Sequence, residues 1–268
     1  MVQHILINGM RITIIGSGNV ATHLAAAFKN AGHRIVQVYS RDMQNAALLA
    51  YHVDAGPTDD LNDISPETDL FMISVKDDAV AGIAQRLAKF QKLTIHTSGA
   101  TNMEVLLAIT PKAGVFYPLQ TFSKTREVDF WTVPLCIEGA NEEITADLEQ
   151  LAHTISNHVH RVSSAQRAIL HLAAVFACNF PNYLYDAARQ LLEKHRMEFE
   201  LLRPLILETA QKVQTSLPAA VQTGPAVRGD EATMATHLQL LADEPGLKPL
   251  YELLSQAIIT NKKAKHGG

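Results

Sequence analysis

Two glycines near the start of the chain, Gly16 and Gly18, have the spacing of a phosphate-binding turn. They lie between an apolar stretch, Arg11–Ile15, and an alanine-rich segment, Asn19–Ala31, which predicts a strand that turns into a helix. Gly16 permits a tight turn, Gly18 lets the backbone approach a pyrophosphate, and Ala21 keeps the helix close to the strand. Free amides and the helix dipole then face the phosphates. A dinucleotide site is therefore predicted, although a glycine turn in an unrelated α/β protein is the alternative; its residues are Gly16, Ser17, Gly18, Asn19 and Val20.

The residues after the second predicted strand, Arg34–Tyr39, indicate which dinucleotide binds. Enzymes that use NAD carry an acid at this point for the ribose 2′-hydroxyl, whereas this chain has Ser40 and Arg41. A hydroxyl and a guanidinium suit a 2′-phosphate, so the pair predicts NADP. Asp42 follows one residue later and keeps NAD open, and a solvated surface arginine is the alternative for Arg41.

Small and hydroxyl residues follow two further predicted strands. Ser74, Val75 and Lys76 follow one of them, and Thr97 and Ser98 follow the other. Because ligands of parallel sheets bind at the carboxyl ends of strands, these residues are expected along the cofactor. Ordinary turn and capping chemistry favours the same residue types and is the alternative interpretation.

A polar stripe in a later helical pattern could carry the chemistry. His171, Asn179, Asn182 and Asp186 fall on one side of that helix, which Pro181 should kink. His171 could exchange the proton that accompanies hydride transfer, Asn179 could bond a carbonyl or imine, and Ser98 would complete the catalytic set. A core histidine with capping asparagines at the kink is the competing interpretation.

A glycine- and proline-rich turn, Thr223–Asp230, holds the predicted substrate anchor. Arg228 could bind a substrate carboxylate through two parallel bonds, while Asp230 stands where it can cap the next helix. Together with Asn182, both residues are predicted to bind substrate. The competing interpretation is a loop that only connects two helices.

The elements around these residues predict an α/β fold with a second domain. Short apolar runs alternate with helical patterns up to residue 162, which predicts a Rossmann-type, mainly parallel sheet. From Ser163 on, leucine and alanine recur at helical spacing, so residues 163–268 are predicted to be an all-helical domain. The segment Met1–Gly9 is either an edge strand or a loose arm.

The composition excludes several classes of protein. A net charge of −4 argues against a nucleic-acid binder, and no apolar run is long enough for a membrane helix. No secretory signal is recognisable, and Cys136 and Cys178 lack the spacing of a metal site or a disulfide framework. A cytoplasmic protein without a bound metal is expected, in which His153, His158 and His160 belong to a polar turn.

Several motifs, taken in order, resemble one protein family. They are Gly16–Ala21, Ser74–Asp77, His96–Ala100, Pro118–Phe122, His171 with Asn179 and Phe180, and Thr223–Asp230. Together they resemble bacterial Rossmann-like proteins provisionally named NADP oxidoreductases, which are similar to pyrroline-5-carboxylate reductases and deazaflavin-dependent NADP oxidoreductases. The resemblance spans nearly the whole chain. It implies an NADP-binding domain, a helical domain and a homodimer formed through the latter.

Two departures limit what the resemblance carries over. It implies histidine before Pro118, where this chain has Tyr117, so a catalytic role for that position does not transfer. The lysine and asparagine pair of β-hydroxyacid dehydrogenases is also missing, because Val175 stands four residues after His171.

The leading hypothesis is an NADPH-dependent oxidoreductase that acts on a carbonyl or imine carbon of a small, anionic metabolite. A non-catalytic NADP sensor and a hydride exchange between NADP and a deazaflavin are the alternatives.

Overall fold

The computed structural model describes the backbone of residues 9–266 and the side chains of residues 9–262. The edge strand or arm expected for Met1–Gly9 therefore lies, except for Gly9, outside the described residues.

One mixed sheet organises the first part of the described chain. Its eight strands stand in the order β3-β2-β1-β4-β5-β6-β7-β8. All neighbours from β3 to β6 are parallel, β7 runs antiparallel to β6, and β8 is parallel to β7. The strands are β1 (Arg11–Ile15), β2 (Arg34–Tyr39), β3 (Gly56–Thr58), β4 (Leu70–Ile73), β5 (Leu93–His96), β6 (Ala113–Pro118), β7 (Leu135–Gly139) and β8 (Val159–Arg161).

Helices cover the sheet, as crossover connections between parallel strands require. Buried side chains of β1 and β4, such as Ile12, Ile14 and Met72, pack against Leu24 and Phe28 of the first helix. Further apolar side chains fill the opposite face. The helices are α1 (Asn19–Asn30), α2 (Met43–His52), α3 (Val80–Leu87), α4 (Glu104–Leu107), α5 (Glu142–His153) and α6 (Ser164–Ala174).

The mainly parallel sheet predicted from the sequence is confirmed, with two additions. β3 and β8 have only three residues each and were not predicted. The polar turn expected for His153, His158 and His160 is wrong, because His153 ends α5 and His160 lies in β8. An edge strand this short carries too little periodicity to distinguish it from a turn.

Residue contacts divide the chain into two compact units, and the boundary along the sequence lies between Asn179 and Phe180. The first unit includes α6 and a π-helical turn, Val175–Asn179. The boundary expected from the sequence lies earlier, between residues 162 and 163.

Helices are the regular elements of the second unit among its described residues, as the sequence predicts. Few of its apolar side chains are buried within the unit, and large ones such as Leu201, Leu205 and Leu253 are exposed. Its helices are α7 (Phe180–Lys194), α8 (Arg203–Thr215), α9 (Pro225–Arg228), α10 (Glu231–Leu240) and α11 (Leu247–His266).

Candidate active site

A cavity of about 840 Å³ opens at the carboxyl ends of the parallel strands. The residues that follow β1, β2, β4 and β5 line it, namely 16–20, 40–41, 74–79 and 97–100. The end of β6 and His171 of α6 complete the lining. The described chain therefore brings together the residues predicted for cofactor binding, which are Gly16, Ser17, Gly18, Asn19, Val20, Ser40, Arg41, Ser74, Val75, Lys76 and Thr97.

Gly16 makes the turn at the floor of the cavity. Its amide donates to the carbonyl of Tyr39 at 2.8 Å, and its φ of +124° is one that side-chain-bearing residues rarely adopt. A Cβ at Gly16 would overlap the backbone carbonyl of Ser74, whereas a Cβ at Gly18 would meet open space. Gly18 is the N-cap of α1 and has no side chain with which to cap the first turn. The first glycine is thus required by the fold, and the second leaves room beside a helix start whose amides suit an anion.

The loop after β2 presents a hydroxyl and a guanidinium rather than an acid. Ser40 Oγ accepts from Ser17 Oγ at 2.9 Å and so joins the two loops. The Asp42 carboxylate caps α2, where it accepts from the Gln44 amide and from Asn45 Nδ2, each at 2.8 Å. Arg41 lines the cavity and pairs with no carboxylate in the described part of the chain. The Asp42 carboxylate is therefore engaged in capping α2, and the Arg41 guanidinium is the charged group that this loop presents to the cavity.

Asn19 and His23 of α1 hold a second loop against the cavity. Asn19 Nδ2 donates to the carbonyl of Phe122 at 2.9 Å, and His23 Nε2 lies 2.9 Å from the carbonyl of Ser123. Gln120, two residues before Phe122, lines the cavity and was not predicted as a site residue. Its sequence signals were its position after the end of β6 and its place in the Pro118–Phe122 motif of the family resemblance.

Ser98 begins a tight turn at the end of β5. Its hydroxyl oxygen accepts from the amides of Ala100 at 3.1 Å and Thr101 at 2.9 Å, and its own amide donates to His96 Nδ1 at 3.2 Å. Its neighbour Thr97 donates through Oγ1 to Ser74 Oγ at 3.1 Å. Ser98 retains a hydroxyl proton at the cavity wall and also shapes the loop that follows.

Tyr117 and His171 form a hydrogen-bonded pair in the cavity wall. Tyr117 Oη lies 3.0 Å from His171 Nδ1, although the two residues are 54 positions apart in sequence. Burial raises the pKa of Tyr117 to about 12, so the phenol is protonated at neutral pH. A Cβ on Gly99 would lie 2.6 Å from His171 Nδ1 and 2.8 Å from Tyr117 Cζ. The pair therefore needs glycine at position 99.

An ion pair at the start of α6 sets the register of His171. Arg167, only 1% exposed, donates to Glu138 Oε2 of β7 and to the carbonyl of Thr101, each at 2.6 Å. Ser164 also donates to Glu138, at 2.7 Å from its hydroxyl.

The spacing of helix and strand then brings the Tyr117 and His171 side chains together. Glu138 pairs with Val115 across the sheet. From Arg167 to His171 the helix rises about 6 Å, and from Val115 to Tyr117 the strand rises about 6.6 Å. Because Arg167 is anchored at the level of Val115 along the strand, His171 lies at the level of Tyr117. A lone arginine on an apolar helix face, one turn before His171, was the sequence signal for this anchor.

His96, at the end of β5, is fully buried behind the cavity wall. Its Nδ1 accepts from Ser98, while its Nε2 has no partner among the described residues. Burial, with a contribution from the Arg167 charge, lowers the pKa of His96 to about 4. The ring is therefore neutral and supports the Ser98 turn.

Of the other predicted site residues, Asn179 is exposed and does not line the cavity. Asn182, Arg228 and Asp230 belong to the second unit. There, Asp230 caps α10 by accepting from the amide and hydroxyl of Thr233, as expected. Arg228 is 62% exposed and lies 3.8 Å from Asp230.

Neither a cluster of metal ligands nor a membrane-spanning helix occurs among the described residues. Among side chains 9–262, no three histidine, cysteine or acidic groups come together as a metal ion would require. No helix within residues 9–266 combines the length and the apolar character needed to cross a membrane.

Comparison with known proteins adds two domain matches. Residues 3–121 match the Rossmann-like domain, and residues 133–258 match a domain of unknown function, DUF2520. No curated protein sequence matches the chain.

Solved structures resemble the whole chain. A Bacteroides fragilis protein provisionally named an NADP oxidoreductase is 46% identical, with a TM-score of 0.91, and covers 95% of this chain and 99% of its own. A Myxococcus stipitatus imine reductase in complex with NADP⁺ is 16% identical, with a TM-score of 0.66 and 96% of each chain covered. A Streptococcus pyogenes 1-pyrroline-5-carboxylate reductase is 16% identical, with a TM-score of 0.61, and covers 96% of this chain and 99% of its own.

At 16% identity the two reductases share the fold with this chain. The identity to the B. fragilis protein extends over nearly the full length of both chains. The chain therefore belongs to the same family as the B. fragilis protein, and in it a Rossmann-like domain is followed by a DUF2520 domain.

Proposed function

We propose that this protein is an NADP-dependent oxidoreductase that reduces a carbonyl or imine carbon of a small metabolite. The observation that carries the proposal is the single cavity wall shared by the glycine turn and the Tyr117–His171 pair. A nucleotide-binding turn and a proton-exchanging pair are thus available to one bound ligand. The name of the B. fragilis relative supports the same class of reaction.

The residues present fit NADP. A cavity of about 840 Å³ lies within the range of cofactor sites. Gly18, the N-cap of α1, leaves open space beside the start of that helix, which suits a pyrophosphate. Ser40 and Arg41 suit a 2′-phosphate, because Asp42 is engaged in capping α2. NADPH, when bound, supplies a hydride.

His171 is the residue that supplies the proton. As the substrate carbon gains a hydride, its oxygen or nitrogen takes a proton from the His171 ring, which regains one from solvent. Ser98 donates its hydroxyl hydrogen to the same oxygen or nitrogen and so orients the substrate. Catalysis by Asn179 and substrate binding by Asn182, Arg228 and Asp230 stay predictions, as do the anionic substrate, the domain boundary after residue 162 and a cytoplasmic location.

A homodimer formed through the helical unit also belongs to this proposal. Large apolar side chains are exposed along α8 and α11, for example Leu205, Leu207 and Leu253. Such a surface is typical of a protein–protein interface.

The test is a panel of ketones, aldehydes and cyclic imines, followed by NADPH absorbance, with NADH as the comparison. Turnover of at least one substrate class is expected, and His171→Ala should lower kcat by about a hundredfold or more while NADPH affinity changes little. An unchanged rate would remove His171 from the mechanism. Tight NADPH binding without turnover of any substrate would instead favour a sensor.

A further inference from the structure

The Tyr117–His171 pair leaves the two nitrogens of the imidazole ring in different situations. Nδ1 lies 3.0 Å from the Tyr117 hydroxyl. Nε2 has no hydrogen bond to any described residue of the first unit, and His171 lines the cavity. A neutral imidazole has one nitrogen that donates and one that accepts, and a partner on one nitrogen decides which is which.

The phenol carries a hydrogen that it can donate in this bond. Tyr117 is nearly buried and stays protonated, and its hydroxyl has no other hydrogen-bond partner among the described residues. Among the described residues, the acceptor nearest to this hydrogen is Nδ1. When the phenol donates to Nδ1, the proton of a neutral His171 sits on Nε2.

We propose that Tyr117 is a positioning residue that holds His171 in its Nε2–H tautomer, so that Nε2–H is the group offered to the substrate. The part that concerns substrate rests on the proposed function, whereas the tautomer itself does not. A neutral imidazole N–H can polarise a carbonyl or imine without carrying a full charge. Tyr117 would act only through His171 and need not touch the substrate.

Two neighbouring features hold the pair together. Gly99 leaves the space that both rings need, because a side chain there would meet Nδ1. The Arg167–Glu138 ion pair fixes α6 one turn before His171. Tyrosine at position 117 thus has a role of its own. A histidine at this position, which the sequence resemblance implies, would have to offer His171 Nδ1 a different hydrogen-bond donor.

The test is ¹⁵N NMR of the ring nitrogens in the full chain without added nucleotide, at a pH of about 8.5, where an ordinary histidine is neutral. His171→Gln identifies the His171 signals by their loss. In the wild type the signals should report mainly Nε2–H. In Tyr117→Phe the ratio of Nε2–H to Nδ1–H should fall about two- to tenfold, which is the effect of one lost hydrogen bond.

A second histidine–tyrosine pair provides the matched control. In the second unit, His237 Nδ1 lies 2.8 Å from Tyr251 Oη. Tyr251→Phe should therefore change the His237 signals and leave those of His171 as they are. A wild-type His171 with its proton on Nδ1, or an unchanged ratio in Tyr117→Phe, would overturn the proposal.

Once a substrate is known, kinetics provide a second measurement. Tyr117→Phe should lower kcat by at least about tenfold with the KM for NADPH unchanged. An unchanged kcat would overturn the role in positioning. If no substrate is ever turned over, the proposed function fails, whereas the NMR ratio still decides whether Tyr117 fixes the tautomer.

Discussion

Two glycines of one motif have different tasks, and this difference can be measured. Gly16→Ala puts a Cβ onto the Ser74 carbonyl at a φ of +124°. We expect it to destabilise the fold by about 3 kcal/mol, since both strain and a backbone clash oppose it. Gly18→Ala meets open space and has a φ of −75°. Its effect on stability should stay below about 1 kcal/mol, the difference between two helix N-cap residues.

Thermal unfolding and nucleotide titration together separate the two effects. Gly18→Ala should keep the melting temperature of the free protein within a few degrees and still weaken NADPH binding, because its methyl group takes the space of the pyrophosphate. If Gly18→Ala bound NADPH as tightly as the wild type does, the open space beside Gly18 would not be where the phosphates lie.

Arg41 is predicted to select between the two nicotinamide nucleotides. Arg41→Ala should weaken NADPH by about ten- to a hundredfold, which corresponds to one charge-assisted hydrogen bond. NADH should be little affected, because it lacks the 2′-phosphate. Calorimetric titration of both nucleotides checks this, and equal losses would show that Arg41 does not bind the extra phosphate.

At the scale of elements, α6 depends on the buried Arg167–Glu138 pair. Arg167→Met leaves the Glu138 carboxylate without its charge partner and should destabilise the first unit by about 3–5 kcal/mol, as measured by urea unfolding. Arg189→Ala is the control. Arg189 lies on α7 and pairs with Asp186 and Glu193 at the surface, so its loss should have an effect of less than about 1 kcal/mol. Similar losses in both variants would contradict the anchoring role of Arg167.

Local patterns made most elements of the first unit predictable. β1 and β2 have the bounds expected from their apolar runs, and α1 ends within one residue of the expected position. These predictions succeed because hydrophobic periodicity and a glycine that ends a helix are properties of residues that are neighbours in sequence. The prediction missed β3, because three residues that include glycine and proline carry no strand pattern.

The candidate site was only partly predictable for the same reason. The glycine turn follows a strand directly, so its role could be predicted from adjacent residues. The Tyr117–His171 pair depends on the packing of α6 against β6 and β7, which no local pattern encodes. The predicted site residues accordingly did not include Tyr117, Gly99 or Arg167.

At the scale of the whole molecule, the exposed helical surface predicts self-association. Analytical ultracentrifugation should give a particle of twice the chain mass of 29.4 kDa. Leu205→Lys or Leu253→Lys should shift it toward the monomer, because a charge would have to be desolvated at the interface. Leu48→Lys, at an exposed site on α2, is the control and should not change the mass. A monomeric wild type would contradict the dimer.

The buried ring of His96 makes the molecule sensitive to acid. The unfolded chain takes up a proton near pH 6.5, whereas the folded ring resists protonation down to about pH 4. Since the unfolded state binds more protons in this window, acidification favours it. Between pH 7 and pH 5 the wild type should lose about 2 kcal/mol of its unfolding free energy to this ring, and His96→Asn should flatten that slope. The fold is therefore expected to lose stability as its surroundings become acidic, through the protonation of this one ring.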